Sequence, residues 1–307
     1  MNRVAIFAHY DAHNTIQDYV IYYIKELQKI AEKIVFVSDC KLNSDELSKV
    51  APYVVHSIAY HHEEYDFGSY KLGYQWARDN GLLDDCEEFI FANDSCYAPL
   101  FPFEEMFSKM SLKNLDFWGV TINKKGLDIV KEEPIENTQE HIQSYFLVFK
   151  PQVFKSDVFN NFVDSITKQD SKYKVIAYYE IGMTKLLASQ GFKYDVYCEL
   201  SKNIIASHVF AYRKLIVENS SPFLKRSVIL FKVTALACPL FTKNLINKYT
   251  KYDYNYIKKD RNKNVTKGTI IKNYLIAIRK YILRIHLKKA EVCFLGRWYY
   301  LRKKING

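Results

Sequence analysis

FIFANDSCYAPL, residues 89–100, decides how this chain folds. The stretch opens as an apolar run of the kind that forms a buried strand, and the run stops at Asn93, Asp94 and Ser95. In open α/β sheets, ligands bind in the crevice outside the carboxyl ends of the strands, so small polar side chains there are candidate site residues. Asp94 is the one carboxylate of the stretch and would face that crevice. A phosphate group, held directly or through a divalent cation (Mg²⁺ or Mn²⁺), suits it, because Mg²⁺ takes one or two carboxylates together with phosphate oxygens. A strand followed by an Asn-Asp-Ser turn with no ligand reads the same letters, so the surrounding sequence must choose.

Working outward, apolar runs alternate with helical patterns over the first 208 residues. Strands are predicted at 4–10 (VAIFAHY) and 33–39 (KIVFVSD), with a helix at 16–31 between them, which makes a βαβ unit. A third strand at 54–60 leads into HHEEYDFGSYKLGYQWARDNG, where a Gly-Ser loop opens a helix. The strand at 88–92 and the patch DFWGVT at 116–121 follow. The expected fold is α/β, a doubly wound mixed sheet with helices on both faces. Neither G-x-G-x-x-G nor G-x-x-x-x-G-K-[ST] occurs, which disfavours ordinary dinucleotide binding and P-loop chemistry.

Charge divides the chain. Residues 1–208 hold 21 Lys and Arg against 30 Asp and Glu, a net −9, whereas residues 209–307 hold 23 against 4, a net +19. The expected domains are therefore 1–208, an acidic body, and 209–307, a basic and mostly helical region that packs on the body or lies on an anionic membrane. That region carries apolar clusters at 227–241, 273–287 and 292–304, each too short or too interrupted by Lys and Arg to span a bilayer. Interfacial helices on anionic lipid suit them. Nucleic acid is not an expected partner, since no zinc spacing, aromatic RNA-binding motif or helix-turn-helix pattern accompanies the charge. The six cysteines lack paired spacing, as in a reducing compartment, and the N-terminus reads as a first strand; a cytoplasmic location is expected.

The order of VAIFAHYD, IVFVSD, YDFGSYKLG, FIFANDSCYAPL, DFWGVT, HIQSYFLVFK, YYEIGMT and SPFLKRSVILFK resembles the rhamnan synthesis protein F family of bacterial polysaccharide glycosyltransferases, over roughly residues 3–232. The resemblance implies transfer of a sugar, typically L-rhamnose from a dTDP-activated donor, to a surface polysaccharide, O-antigen, capsule or lipid-linked precursor. It also implies a GT-A-like layout in which Asn93, Asp94 and Ser95 stand at the D-x-D element. Only the middle position is acidic here, so metal dependence is open; Asp94 and His208 are the candidate ligands. A non-catalytic scaffold of a membrane polysaccharide-assembly complex is the competing reading, and the missing outer aspartates support it.

Inverting glycosyl transfer needs a base to deprotonate the acceptor hydroxyl. Glu180, ahead of a helical pattern, is the candidate, at the position of the acidic base in GT-A enzymes. For donor binding the candidates are His9, Tyr10 and Asp11 after the first strand, Ser38 and Asp39 after the second, then Asp66, Gly68, Ser69 and Lys71. There Gly68 would permit close approach, Ser69 would cap the helix and Lys71 would add charge for a diphosphate. Trp118, His141, Gln143, Ser144, Tyr178 and Tyr179 are candidates for sugar contact, Trp118, Tyr178 and Tyr179 by stacking; a ligand-free His-Gln network is the alternative for HIQSYF.

Overall fold

The computed structural model describes residues 1–123, 140–199, 211–230, 242–266, 268, 291–294 and 297–300. The chain forms two units. The first comprises Met1–Asp94 and Phe103–Tyr197, and the second comprises Ser95–Pro102 and Cys198–Gly307. In chain order the strands are β1 (Arg3–His9), β2 (Lys33–Ser38), β3 (His56–Ala59), β4 (Glu88–Asn93), β5 (Cys96–Tyr97), β6 (Phe117–Gly119) and β7 (Ile122–Asn123). After them come β8 (His141–Ile142), β9 (Phe146–Phe149), β10 (Tyr194–Val196) and β11 (Leu224–Lys225). The first unit's helices are α1 (Asp18–Leu27), α2 (Ser44–Ser48), α3 (Tyr65–Asp79), α4 (Phe103–Ser111), α5 (Pro151–Phe154), α6 (Asp157–Asp164), α7 (Lys172–Val175) and α8 (Gly182–Ser189).

A seven-stranded sheet in the order β10-β6-β9-β4-β1-β2-β3 forms the centre of the first unit. β1 pairs in parallel with both β2 and β4, and β9 runs antiparallel between β4 and β6. The chain winds from β1 outward to β3, then returns to place β4 on the other side of β1. The switch in winding direction falls at the carboxyl ends of β1 and β4, the place where open α/β sheets bind their ligands.

Alternation along the strands explains why helices cover both faces. On one face Val4, Ile6, Phe89, Phe91 and Phe149 join Tyr70 and Tyr74 of α3 and Phe159 of α6 in one buried cluster. Tyr70 stacks on Phe91 with centroids 4.3 Å apart, an arrangement worth about 0.5–1.5 kcal/mol beyond burial. A Cβ on Gly73 would lie 2.3 Å from Ile6 Cγ2, so glycine is what lets α3 press onto β1. On the opposite face Phe7 meets Tyr23 of α1 edge-on at 5.0 Å, and Phe146 stacks on Phe103 of α4 at 5.7 Å. The expected doubly wound α/β sheet is the observed one.

In the second unit β5 pairs antiparallel with β11, which draws Ser95–Pro102 out of the middle of the chain. Helices α9 (Tyr212–Asn219), α10 (Arg226–Ile229), α11 (Thr242–Tyr249) and α12 (Tyr254–Asn264) follow, with a strand pair Glu291–Phe294 and Arg297–Tyr300. Asp260, fully buried, accepts Nε and Nη2 of Arg226 at 2.9 and 2.8 Å and the Tyr97 hydroxyl at 2.6 Å, a pairing that satisfies a carboxylate removed from water. Ser95, expected at the donor site, accepts Lys225 Nζ at 2.8 Å within this unit. The apolar cluster at 273–287, most of that at 227–241 and part of that at 292–304 lie outside the described residues, as does His208. Among the described residues, no helix is long and apolar enough to cross a membrane.

Candidate functional site

Adjacent strands bring together the residues at the switch point. The backbone N–H of Asp94 donates to Ala8 O at 3.1 Å, continuing the β1–β4 pairing past the end of β4. This places the Asp94 carboxylate under the turn that follows β1: Oδ2 accepts the Tyr10 N–H at 3.3 Å and the Tyr19 hydroxyl at 3.5 Å. Asp94 is buried while Tyr10 is 53 % exposed. His9 Nδ1 lies 2.8 Å from Ser38 Oγ, joining the ends of β1 and β2. Asp11 serves its own loop, its oxygens accepting His13 N–H, Thr15 Oγ1 and Gln17 Nε2 at 2.9, 3.1 and 2.9 Å. These contacts shape the turn into α1.

Asp39 holds the loop between β3 and α3. Its Oδ1 is 2.9 Å from His61 Nδ1 and accepts the N–H groups of His62 and Glu63 at 2.7 and 2.9 Å. Glu63 and Tyr65 carry φ of +61° and +58°, left-handed conformations that cost non-glycine residues roughly 1–2 kcal/mol each. Helix α3 begins at Tyr65, four residues before the expected cap. Ser69 therefore lies inside the helix, its Oγ 2.9 Å from His62 Nε2. A Cβ on Gly68 would fall 2.2 Å from Glu64 Cβ, so this glycine admits the loop and not a ligand. Lys71 donates to Ile166 O at 2.7 Å. The expected diphosphate cradle at Gly68, Ser69 and Lys71 is taken up by contacts within the protein.

Glu180 sits in a six-residue π-helical stretch, Ile176–Ile181, between α7 and α8, and not at a helix start. Such insertions are common at functional sites because they turn one side chain out of the helical register. Glu180 Oε1 accepts the Ser144 N–H at 2.9 Å. The Tyr70 hydroxyl donates to Ser144 O at 2.9 Å, and the Asn93 side chain hydrogen-bonds that hydroxyl and donates to Asp66 Oδ2 at 3.0 Å. Asp66 and Glu180, 114 positions apart in sequence, thus end one continuous hydrogen-bonded chain. Burial raises the Tyr70 pKa well above its ordinary value, and the Asp66 and Glu180 carboxylates push it further in the same direction. The hydroxyl stays protonated and keeps donating.

The HIQSYF residues His141, Gln143 and Ser144 are buried and bonded within the protein. Gln143 Oε1 accepts Thr121 Oγ1 at 2.7 Å, Thr121 Oγ1 lies 2.8 Å from the Tyr145 hydroxyl, and His141 Nε2 is 3.4 Å from Asn123 Nδ2. Two stacking expectations are corrected. Trp118 is 2 % exposed and packs edge-on against Phe107 at 5.1 Å. Tyr179 packs on Phe67 at 5.6 Å, and its hydroxyl donates to Thr167 O at 2.9 Å. Sequence reasoning passed over Tyr70, whose helical spacing with Phe67 and Tyr74 reads as plain core, and His62, whose bond to Ser69 follows the i, i+7 offset only because the loop folds back.

Among the described residues no three His, Cys, Asp or Glu side chains gather as a metal-holding group. Asn93 donates to Asp66, and Asn and Ser flank Asp94. Among the described residues this turn therefore brings one carboxylate, Asp94, His208 lies outside them, and no step below runs through a metal.

Sheet order and the switch point at β1 and β4 define the class: a GT-A-like, doubly wound α/β fold. The chain belongs to the rhamnan synthesis protein F family, whose model matches residues 34–302. No curated protein matches the chain in sequence. Among solved structures, core-mannan synthase A of Aspergillus fumigatus in its Mn/GDP form is 10 % identical, with 63 % of this chain and 72 % of that chain covered and a TM-score of 0.35. A glycosyltransferase involved in glycosylation of the major capsid of PBCV-1 is 11 % identical over 72 % and 93 %, with a TM-score of 0.34. The 4-diphosphocytidyl-2C-methyl-D-erythritol synthase of Anaerococcus prevotii is 14 % identical over 64 % and 86 %, with a TM-score of 0.38.

Proposed function

We propose that this glycosyltransferase moves L-rhamnose from dTDP-L-rhamnose to a lipid-linked or polysaccharide acceptor of a bacterial surface polymer, with inversion at the anomeric carbon. The observation that carries this reading is the hydrogen-bonded chain that joins the end of β4, next to Asp94, to Glu180. It ties a donor position at the switch-point crevice to a carboxylate oriented by the Ser144 N–H.

Asp94, steadied by the Tyr10 N–H and the Tyr19 hydroxyl, orients the donor. Glu180 takes the proton of the acceptor hydroxyl, and that oxygen attacks the anomeric carbon. The bond from that carbon to the diphosphate oxygen breaks on the opposite face, and its electron pair leaves with the nucleoside diphosphate. The basic second unit suits work on the cytoplasmic face of the plasma membrane, against anionic lipid.

A thermal-shift panel of nucleoside diphosphates and nucleotide sugars tests the assignment. A ligand that binds only the folded chain stabilises it by about 2.7 kcal/mol at 100 times its Kd. dTDP-L-rhamnose raises Tm in the wild type and not in Asp94→Ala. Failure of every nucleotide sugar to move Tm overturns the proposal.

A further inference from the structure

Among the described residues, the exposed Tyr, Phe and Trp side chains are Tyr10, Tyr60, Tyr65 and Tyr178. All four belong to the first unit. Tyr10 and Tyr60 follow the carboxyl ends of β1 and β3, Tyr65 opens α3 one residue before Asp66, and Tyr178 stands two residues before Glu180. Aromatic rings are large apolar surfaces that a fold ordinarily buries, and most of the other described ones are buried here.

The backbone that presents Tyr60 and Tyr65 is fixed. Asp39 receives two successive N–H groups of the loop and one imidazole, and the loop carries two left-handed non-glycine residues. Strain of that kind persists only where surrounding contacts over-determine it, and it concentrates at ligand clamps. The same short segment steadies both sides of the rim: Lys168 pairs with Glu63, and Thr167 bonds the hydroxyl of Tyr179, the neighbour of Tyr178.

Charge selects the occupant. The carboxylates here are Glu63 and Glu64 of the loop and Asp66 in the first turn of α3; Lys168 is paired with Glu63, and Lys71 is turned to a backbone carbonyl. A nucleoside diphosphate would be repelled there. A neutral, hydroxyl-rich chain would not, since carboxylates accept hydroxyl protons while tyrosine faces take the C–H faces of sugar rings.

We propose that Tyr60, Tyr65 and Tyr178 form a preset rim that stacks on successive sugar rings of the acceptor glycan. The proposal rests on the glycosyltransferase reading above and adds the acceptor's class, a neutral oligosaccharide reaching Glu180 past the β3–α3 loop. Asp39 is the residue that positions the rim.

The probes are a neutral rhamnose tetrasaccharide and dTDP, titrated into the full-length chain by calorimetry with saturation-transfer NMR alongside. Tyr60→Ala, Tyr65→Ala and Tyr178→Ala each weaken the tetrasaccharide roughly two- to tenfold. Tyr65→Phe retains it, and dTDP binds all variants alike. Because these rings are exposed, the variants keep the wild-type Tm. Alanine variants that bind the tetrasaccharide as the wild type does, or a wild type that does not bind it, overturn the rim; if dTDP-L-rhamnose still binds, the transferase reading stands. Loss of dTDP affinity in the Tyr65 variant reassigns the rim to the donor and overturns it too. A wild type blind to every nucleotide sugar defeats the functional reading itself.

Discussion

The Ser144 N–H donates to Glu180, and the Tyr70 hydroxyl donates to Ser144 O. A glutamine at 180 keeps size and hydrogen-bonding capacity but cannot accept a proton. Glu180→Gln is expected to lower the transfer rate roughly a hundred- to ten-thousand-fold while calorimetry finds donor affinity nearly unchanged. Turnover that survives the change would place the base elsewhere, with Asp66, at the other end of the chain of hydrogen bonds, next in line. Donor binding that collapses would instead put Glu180 in the donor pocket. The identity of Glu180 as a candidate was legible from YYEIGMT; its link through Ser144, Tyr70 and Asn93 to Asp66 was not, because hydrogen bonds between segments distant in sequence leave no periodic signal.

At the scale of elements, the β3–α3 loop ties stability to pH through His62. Its side chain is 3 % exposed, with Nε2 on Ser69 and Nδ1 accepting the Glu64 N–H at 3.1 Å. Burial lowers its pKa below the ordinary 6.5, against the opposing pull of Asp39 and Glu64. The sign follows: as pH falls through about 6.5 the unfolded chain takes up a proton that the folded one refuses, so stability present above that pH is lost on acidification. Thermal melts between pH 7.5 and 5.5 should show Tm falling, and His62→Gln should fall less steeply. Equal slopes would mean that the titration lies in other groups. The loop also shows how far element prediction reached. A helix after β3 was legible, but its start was placed at Ser69, since Gly-Ser looks like a cap, whereas Asp39 fixes the loop and starts the helix at Tyr65.

For the whole molecule, the described helical pair α11–α12 presents Lys243, Lys248, Lys251, Lys258, Lys259 and Lys263 as exposed side chains, with Asp253 as its exposed carboxylate. Each basic residue near an anionic bilayer adds about 1 kcal/mol of attraction, screened by salt. Removing residues 242–307 is therefore expected to release the protein from phosphatidylserine vesicles in co-sedimentation, and rising salt should release the full chain. Equal binding by both chains would assign the region to packing. Steeply salt-dependent binding to nucleic acid, indifferent to lipid, would favour the partner that the sequence argued against.

By itself the sequence determined the doubly wound sheet, the end of β4 at residue 93, the division of charge and the family. Strand alternation, βαβ spacing and net charge are local or summed properties that a linear reading retains. Only the tertiary structure decided which polar residues meet. It enclosed Trp118 and Tyr179, left Tyr60, Tyr65 and Tyr178 exposed, and spent Asp39, Ser69 and Lys71 on holding the protein together. Tyrosine reads alike in sequence whether it is core or surface, and a carboxylate reads alike whether it meets a ligand or a backbone N–H. What separates them is the burial and pairing set by distant segments packing against one another.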